Sequence, residues 1–414
     1  MSPPAQVLVL VVDEVLEDGR VFKTCTSLRD AGARVTVGCT NPGGRPEKEV
    51  REGLKIVRFP HPPEFYLKRW HSRLQGRLGR RLGGAASSLH EQTSPSGLRS
   101  LLRTAVLSAN FRHLLRTTAA ANQRMIRAFR GGPYDLVHCN DLLTLEAGVG
   151  LKDCGAAREL LYDAHEFWPG MASEGSLANR AWGKMEGELI GRADRVVTVN
   201  PFIAELLEKT YRLPRTPAVV MNCPPLAADG QGRTAGDPVR VLYQGRLQAY
   251  RGLEELVLAF AKVEGGTLTV SGDGPLLGGL RTLVESEGLG GTVRFSGRFA
   301  RDGGMRVIGE CDIGVIPYKP VNLNNTYASP NKLFEYMMGG LALATSNLPF
   351  LSSVVAAEKA GIVFRSLEPA EIAIDLNRLI GDRQALQRFR DAARGAARQR
   401  YHWDRQFSHY PWGH

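Results

Sequence analysis

Gly245 and Arg246 follow the apolar run VRVLYQ, and Arg251 and Gly252 open the next helical segment. Glycine at a strand exit lets a ligand approach the backbone. Two guanidiniums beside a helix N-terminus favour a dianionic group. Taken alone, the spacing also fits two surface arginines flanking a turn. Gly297 and Arg298 end a second strand, VRFSGR, whose backbone is placed to read a nucleobase, and SGDGP (271–275) is a further glycine-rich strand exit. In SPNKLFEYMMGG (329–340), Ser329 suits an N-cap and Pro330 the first helical position. Leu333, Phe334, Met337 and Met338 form the packing face, and Lys332 and Glu335 share the opposite side at i,i+3. That pair reads either as an exposed salt bridge worth about 0.3 kcal/mol or as a ligand-binding pair. In the second reading Glu335 accepts hydrogen bonds from a ribose diol, and Lys332, with Ser329 and Asn331 nearby, lies beside phosphates. The place of this short helix, between two apolar strands of a parallel sheet, favours the second reading.

The first half carries its polar residues at strand ends. YDLVHCND, ELLYDAHE and ADRVVTVN are apolar runs ending in Asn140, Asp141, Asp163, His165, Glu166 and Asn200. Ligands of open parallel sheets bind at the carboxyl ends of strands. Asp141, His165 and Glu166 are therefore candidates to orient reacting groups, each also readable as a structural strand-end cap.

Apolar strands alternating with helical segments imply doubly wound parallel sheets, an α/β class. At 414 residues the chain exceeds one compact core. A Pro/Gly/Ala/Asp-rich stretch, 223–239, is the expected linker between a Rossmann-like domain (1–222) and a second one (240–396), followed by a C-terminal segment (397–414).

The formal charge is +11, and it is concentrated: residues 65–134 hold thirteen Lys or Arg and one acid, a net +12, against −1 elsewhere. One basic patch points to one anionic partner, and no aromatic-basic module for nucleic acid accompanies it. Within it, Leu67, Trp70, Leu74, Leu78 and Leu82 recur at three and four residues. That spacing describes a basic amphipathic helix able to lie on an anionic membrane, or a core-facing stripe with a solvated basic side. Six scattered cysteines, without CxxC, fit a reduced, cytoplasmic protein with neither disulfide framework nor zinc site. VLVLVV near the N-terminus reads as a buried strand rather than a signal peptide, and no run is long enough to span a bilayer.

The order GRL…RG, GDGP, FSG, DIGVIPY and SPNKLFEYMMGGLALATS, after HCNDLLTL, YDAHE and ADRVVTVN, resembles the retaining GT-B glycosyltransferases of family four across nearly the whole chain. The resemblance implies two Rossmann-like domains facing a cleft, with a terminal helix crossing back. It assigns a nucleoside-diphosphate sugar to the C-terminal domain and a hydroxyl acceptor (glycolipid, lipid-linked glycan or small molecule) to the N-terminal one. Arg246 and Arg251 would hold the diphosphate and Glu335 the ribose, with Gly245, Gly297, Arg298, Ser329, Asn331 and Lys332 around the donor. Gly19, Arg20, Asn140 and Asp163 would line the acceptor side, with Asp141, His165 and Glu166 orienting the sugars. The chain departs from the family's E-x7-E motif, with Tyr327 at the first glutamate. It also departs from HxHD, with Asn140 replacing the second histidine, and its N-terminal glycine-rich loop is reduced to EDGRV. No Asp-x-Asp occurs, so no metal is expected at the diphosphate and no cofactor beyond the sugar nucleotide. A nucleotide-sugar epimerase and a non-catalytic partner subunit of the same fold are the alternatives.

Overall fold

The computed structural model describes residues 4–41, 45–60, 98–172, 174–227, 234–297 and 303–412. Arg298 and the basic amphipathic stretch 65–84 lie outside them. The chain forms two compact units, one running to Val196 and joined by the tail from Pro411, the other from Val197 to Tyr410.

In the first unit, β1 (Gln6–Leu10) pairs in parallel with β2 (Arg34–Asn41) and β5 (Tyr134–Asn140). β4 (Leu54–Pro60) follows β2 in parallel and forms an antiparallel hairpin with β3 (Lys48–Arg51). With β6 (Ala157–Ala164), β7 (Arg195–Thr198) and β8 (Ala218–Val219) the sheet order is β3-β4-β2-β1-β5-β6-β7-β8. Val7 to Leu10 are fully buried, as a strand covered on both faces requires. The crossovers include α1 (Gly19–Asp30), α2 (Leu98–Phe129), α3 (Leu142–Asp153) and α4 (Leu177–Ile190). Phe129 ends α2 over β2, where a Cβ on Gly38 would lie 2.6 Å from its ring. The order reverses between β1 and β5, a topological switch point. Register places Asn140 beside Asp163 there, and His138 beside Val9.

The second unit begins with α5 (Pro201–Tyr211), and its sheet runs β11-β10-β9-β12-β13-β14. These are Val239–Gln244 (β9), Gly266–Ser271 (β10), Val293–Gly297 (β11), Ile313–Ile316 (β12), Ala342–Thr345 (β13) and Gly361–Val363 (β14), all parallel. Helices α6 (Leu253–Ala259), α7 (Leu277–Ser286), α8 (Gly303–Gly309), α9 (Leu323–Thr326), α10 (Asn331–Met338) and α11 (Pro349–Glu358) alternate with the strands. α12 (Pro369–Gly381), α13 (Arg383–Gln399) and α14 (Trp403–Phe407) complete the chain. The switch point lies between β9 and β12.

Three expectations shift. The division between units falls at Val196, upstream of the 223–239 stretch, because α5 and the segment after it pack within the second unit. Phe202 stacks on Tyr327 (6.1 Å, 15°), and the Trp403 amide donates to the Pro224 carbonyl at 2.8 Å. Of the tail, Pro411 and Trp412 join the first unit, where Arg195 donates to the Pro411 carbonyl. Finally, Ser329 does not cap α10. Pro330 holds the cap position in an extended conformation (φ −72°, ψ 133°), and the Ser329 hydroxyl instead faces the Val199 carbonyl at 3.5 Å.

α10 is also buried more completely than its spacing implies. Lys332 and Tyr336 join Leu333, Phe334, Met337 and Met338 in the interior, and only Glu335 and Asn331 reach toward solvent. The helix fits because β12 opposes it with Gly314, whose added Cβ would lie 2.2 Å from the Tyr336 ring. The Tyr336 hydroxyl thereby accepts a 2.8 Å hydrogen bond from the Gln244 amide at the end of β9. Gly314→Ala is expected to overpack this contact and lower the unfolding free energy by about 1–3 kcal/mol. Urea denaturation checks it, and an unchanged midpoint would mean that Tyr336 has room to move.

Candidate functional site

The second unit gathers its chemistry outside the carboxyl ends of β9, β10 and β12. Gly245 (φ 134°) ends β9, and Gly272 (φ 144°) ends β10 so close to it that a Cβ there would stand 1.8 Å from the Gly245 carbonyl oxygen. Gly274 also lies tight against Leu247, whose carbonyl oxygen would stand 2.3 Å from a Cβ there. A 3-10 turn, Ala249–Arg251, leads to Gly252 in the left-handed region (φ 63°), where a Cβ would meet the Pro317 carbonyl oxygen at 2.0 Å. Only glycine satisfies both the backbone angle and the space. Gly297 (φ 73°) ends β11 with open space around it.

These exits hold Arg251 and Lys332 against a bed of tyrosines. The Arg251 guanidinium carbon stands 3.8 Å from the Tyr318 ring centroid and 4.9 Å from that of Tyr250. Lys332 Nζ stands 3.8 Å above the Tyr243 ring and 5.2 Å from Tyr318. The amine has no hydrogen-bond acceptor among the described residues, and its side chain is only 7% exposed. Burial first, then the nearby Arg251 charge, drive its basicity well below an ordinary lysine's, and Glu335 opposes them. Gln244 Oε1, Ser271 Oγ and Arg251 Nε, all buried in this neighbourhood, likewise have no hydrogen-bond partner among the described residues. Such groups are costly unless a ligand or water satisfies them. Arg246 is exposed on the rim of the same turn, and Glu335 is half-buried. Lys332, read as sharing with Glu335 the side opposite the packing face, instead turns its amine inward, where the Gly245 backbone leaves room for it. A Cβ at 245 would come within 2.9 Å of Nζ. Asn331 is exposed and accepts from Asn222 at 2.9 Å.

In the first unit, Asp163 is fully buried and gathers three partners. Arg20 grips it with Nε at 3.1 Å and Nη2 at 2.8 Å, His138 Nε2 lies at 3.3 Å and His165 Nε2 at 3.6 Å. Arg20 is positioned by Asp18, whose carboxylate caps α1 by accepting from the Arg20 and Val21 amides. Asp141 holds the other side of His165, with Oδ2 3.2 Å from Nδ1 and Oδ1 accepting from its amide at 3.1 Å. To do so Asp141 adopts φ 62°, ψ 164°, a region nearly confined to glycine and costing on the order of 1–3 kcal/mol. Although it precedes α3, its carboxylate makes no capping bond there. The two imidazoles differ in charge. Burial lowers the pKa of His138 against the pull of Asp163, leaving it neutral. For His165 burial also opposes protonation, but Asp141 and Asp163 outweigh it and push its pKa up to about 10. Desolvation would raise Asp163, yet Arg20 and the histidines hold it well below the usual carboxylate range.

The structure therefore joins Arg20, Asp163, Asp141 and His165 in one cluster. Arg20 and Asp163 are interior rather than lining, and the exposed Gly19 and half-buried Glu166 lie next to them in sequence. Asn140 is buried at the end of β5. Its amide donates to the Leu10 carbonyl at 3.1 Å, tying β5 to β1. Asn200 caps α5 and donates to the Tyr327 carbonyl at 2.8 Å. His138, Tyr243, Tyr318, Gln244 and Ser271 were not singled out by residue pattern. Their signal was a polar or phenolic group inside an otherwise apolar strand run.

Comparison with known proteins divides the chain by sequence within the stretch expected as the linker, downstream of the break between the two compact units. Residues 20–224 match the family described as Glycosyl transferase 4-like domain, and residues 228–396 match Glycosyl transferases group 1. An uncharacterized glycosyltransferase of Methanocaldococcus jannaschii, MJ1607, is 24% identical over 293 residues, covering 66% of this chain and 72% of that protein. Among solved structures, the sucrose-phosphate synthase of Thermosynechococcus elongatus shares the fold with a TM-score of 0.68 at 17% identity, covering 97% of this chain and 96% of its own. HepE of Anabaena, solved with UDP, follows at 0.66 and 15%, with 97% of each chain covered. WaaG, a glycosyltransferase involved in lipopolysaccharide biosynthesis, gives 0.60 at 12%, covering 97% of this chain and 98% of that one.

The raised pKa of His165 has a consequence for stability. A group more basic folded than unfolded contributes fully below its unfolded pKa of about 6.5, and that contribution disappears as pH rises through the folded value. The stability advantage of wild type over His165→Gln is therefore expected to shrink steadily as pH rises from near 6.5 toward about 10. Chemical denaturation across that window measures it. A difference independent of pH would show that His165 is neutral.

Proposed function

The chain belongs to the glycosyltransferase family matched by its two halves, Glycosyl transferase 4-like domain and Glycosyl transferases group 1; from that premise we propose that it transfers a sugar, with retention, from a nucleoside diphosphate to an acceptor hydroxyl. One observation carries the donor assignment. At the switch point of the second sheet, Arg251, Lys332, Gln244 and Ser271 converge with buried polar atoms that no described residue satisfies. A diphosphate answers that need, since its oxygens accept from amine and guanidinium together. Arg246 on the rim adds charge, and Glu335, one turn into α10, is the group to accept hydrogen bonds from the ribose hydroxyls. The open backbone at Gly297, with Arg298 following in sequence, suits the nucleobase. That UDP and UDP-glucose were found in HepE makes UDP the first nucleotide to test.

In the reaction so read, the bond from the anomeric carbon to the diphosphate oxygen breaks, and a bond from the acceptor oxygen forms on the same face. The acceptor proton passes to the departing phosphate. Arg246, Arg251 and Lys332 stabilise the charge that develops there, which makes the transfer metal-independent. No protein carboxylate is assigned as nucleophile. Asp141, the imidazolium of His165 and Glu166 are read as orienting the sugars, with Asp163 and Arg20 fixing the imidazole from behind. The +12 stretch 65–134 is read as the contact with an anionic membrane surface that carries a lipid-linked acceptor.

A thermal-shift panel of UDP, GDP, dTDP and ADP, alone and as sugar conjugates, is expected to raise Tm for at least one base. Arg251→Ala and Glu335→Ala should each weaken that nucleotide about ten- to a hundredfold, the loss of a charge-assisted hydrogen bond of roughly 1.5–3 kcal/mol. Binding that survives both substitutions would place the donor elsewhere. Co-sedimentation with vesicles containing anionic lipid, lost with neutral vesicles and in salt, is the expected outcome for the basic stretch.

A further inference from the structure

Lys332 is poorly placed to be charged by its own chain. Its amine lies inside the second unit, over the ring of Tyr243 and against the Gly245 backbone, with no described acceptor oxygen in hydrogen-bond reach. Burying an ammonium without acceptors is costly, and an aromatic face offsets only part of that cost. The charged groups around it do not close that gap. Arg251, across the Tyr318 ring, repels a second cation, and the half-buried Glu335, one turn further along α10, attracts it more weakly. Tyr243, Tyr318 and Tyr336 are themselves buried, which raises their hydroxyl pKa values and keeps them neutral near pH 7. The other charged groups packed against α10 sit at its far end or outside. Arg390 of α13 donates to the Gly340 carbonyl at 3.1 Å and pairs with Asp312 at 3.6 Å, Arg394 borders Gly340, and Arg306 and Glu310 are exposed.

We propose that binding of a diphosphate at the Gly245–Arg251 turn is coupled to uptake of one proton by Lys332. The inference rests on the donor reading above and adds a regulation to it. As a neutral amine, Lys332 avoids repulsion from Arg251 and tolerates burial. A diphosphate oxygen brought to the turn supplies the anion and the acceptor that the chain lacks, and the charged form then becomes the favoured one. The proton comes from solvent and no covalent bond changes. Donor affinity therefore rises as pH falls, until Lys332 is protonated in the free protein as well. The positioning of the amine depends on Gly245, since any side chain there displaces it.

Calorimetric titration tests this with UDP-glucose, GDP-mannose, dTDP-glucose and ADP-glucose. Their diphosphate diesters have no ionisation of their own near neutral pH, so any proton exchanged belongs to the protein. Titrations near pH 8 in Tris and in HEPES, buffers of different ionisation enthalpy, count protons. The expected result is uptake of about one proton per ligand in wild type. Lys332→Met should bind more weakly with uptake near zero. Lys332→Arg, permanently charged, should bind with uptake near zero as well. Equal binding enthalpies in the two buffers, with binding intact, overturn the proposal and leave the donor reading standing. Uptake that persists in both variants places the proton on another group and also overturns it. Absence of binding by all four sugar nucleotides overturns the donor reading and the coupling together.

Discussion

The second unit depends on how closely three strand exits approach one another. The Gly245 carbonyl occupies the space a side chain on Gly272 would need, and Pro317 does the same to Gly252. Backbone hydrogen bonds lock the approach: Gly245 to Ser271 at 2.8 Å, Leu247 to Asp273 at 3.0 Å and Lys319 to Tyr250 at 3.0 Å. Because the loops between strands are this tight, the side chains that leave them are directed rather than mobile. Arg251 has to lie on Tyr318, and Lys332 has one hollow to enter. Side chains held on such a frame have little further freedom to lose.

The first unit solves a different electrostatic problem. A fully buried carboxylate, Asp163, is kept charged by a bidentate arginine and two imidazoles. A buried pair of this kind adds little net stability, because desolvation consumes much of the attraction. Its value lies in setting the state of its neighbours. His138, shut away from solvent, stays neutral, while His165, drawn toward Asp141, is charged. Two histidines within one cluster thus hold opposite protonation states, and the strained backbone of Asp141 is what puts the second carboxylate in place. Backbone strain of this kind persists only where the surrounding structure over-determines it, and it clusters at functional sites.

Much of this was legible in the residues. Alternating apolar runs gave both sheets. Glycines at strand exits pointed to the region where Arg251 and Lys332 converge. What remained hidden depends on register and close approach. Tyr243 and Tyr318 sit in VRVLYQ and DIGVIPY as further apolar residues, and only the pairing of β9 with β12 turns them into a bed for two cations. The i,i+3 spacing of Lys332 and Glu335 correctly put them near each other, but spacing says nothing of the hollow beside Gly245 that draws one inward. Asp141 offers no trace of its positive φ in the sequence, since the angle follows from the His165 contact. The hydrogen bond by which Asn140 ties β5 to β1 likewise follows from register and not from its place at a strand end.

The short helix α10 shows why fold and chemistry cannot be separated here. Tyr336 fills the space left by Gly314 and receives the last amide of β9, so the helix is fastened to the same strand that delivers Gly245. Fixing one turn at Tyr336 fixes Lys332 and Glu335, which lie four residues before it and one before it in the chain. The amine is thereby committed to an environment that cannot stabilise its charge, beside the guanidinium of Arg251. An interior that wanted only stability would carry methionine at 332 and lose nothing. A lysine there makes sense if something anionic enters from outside the chain. The buried polar atoms of Gln244, Ser271 and Arg251 in the same region likewise have no partner among the described residues.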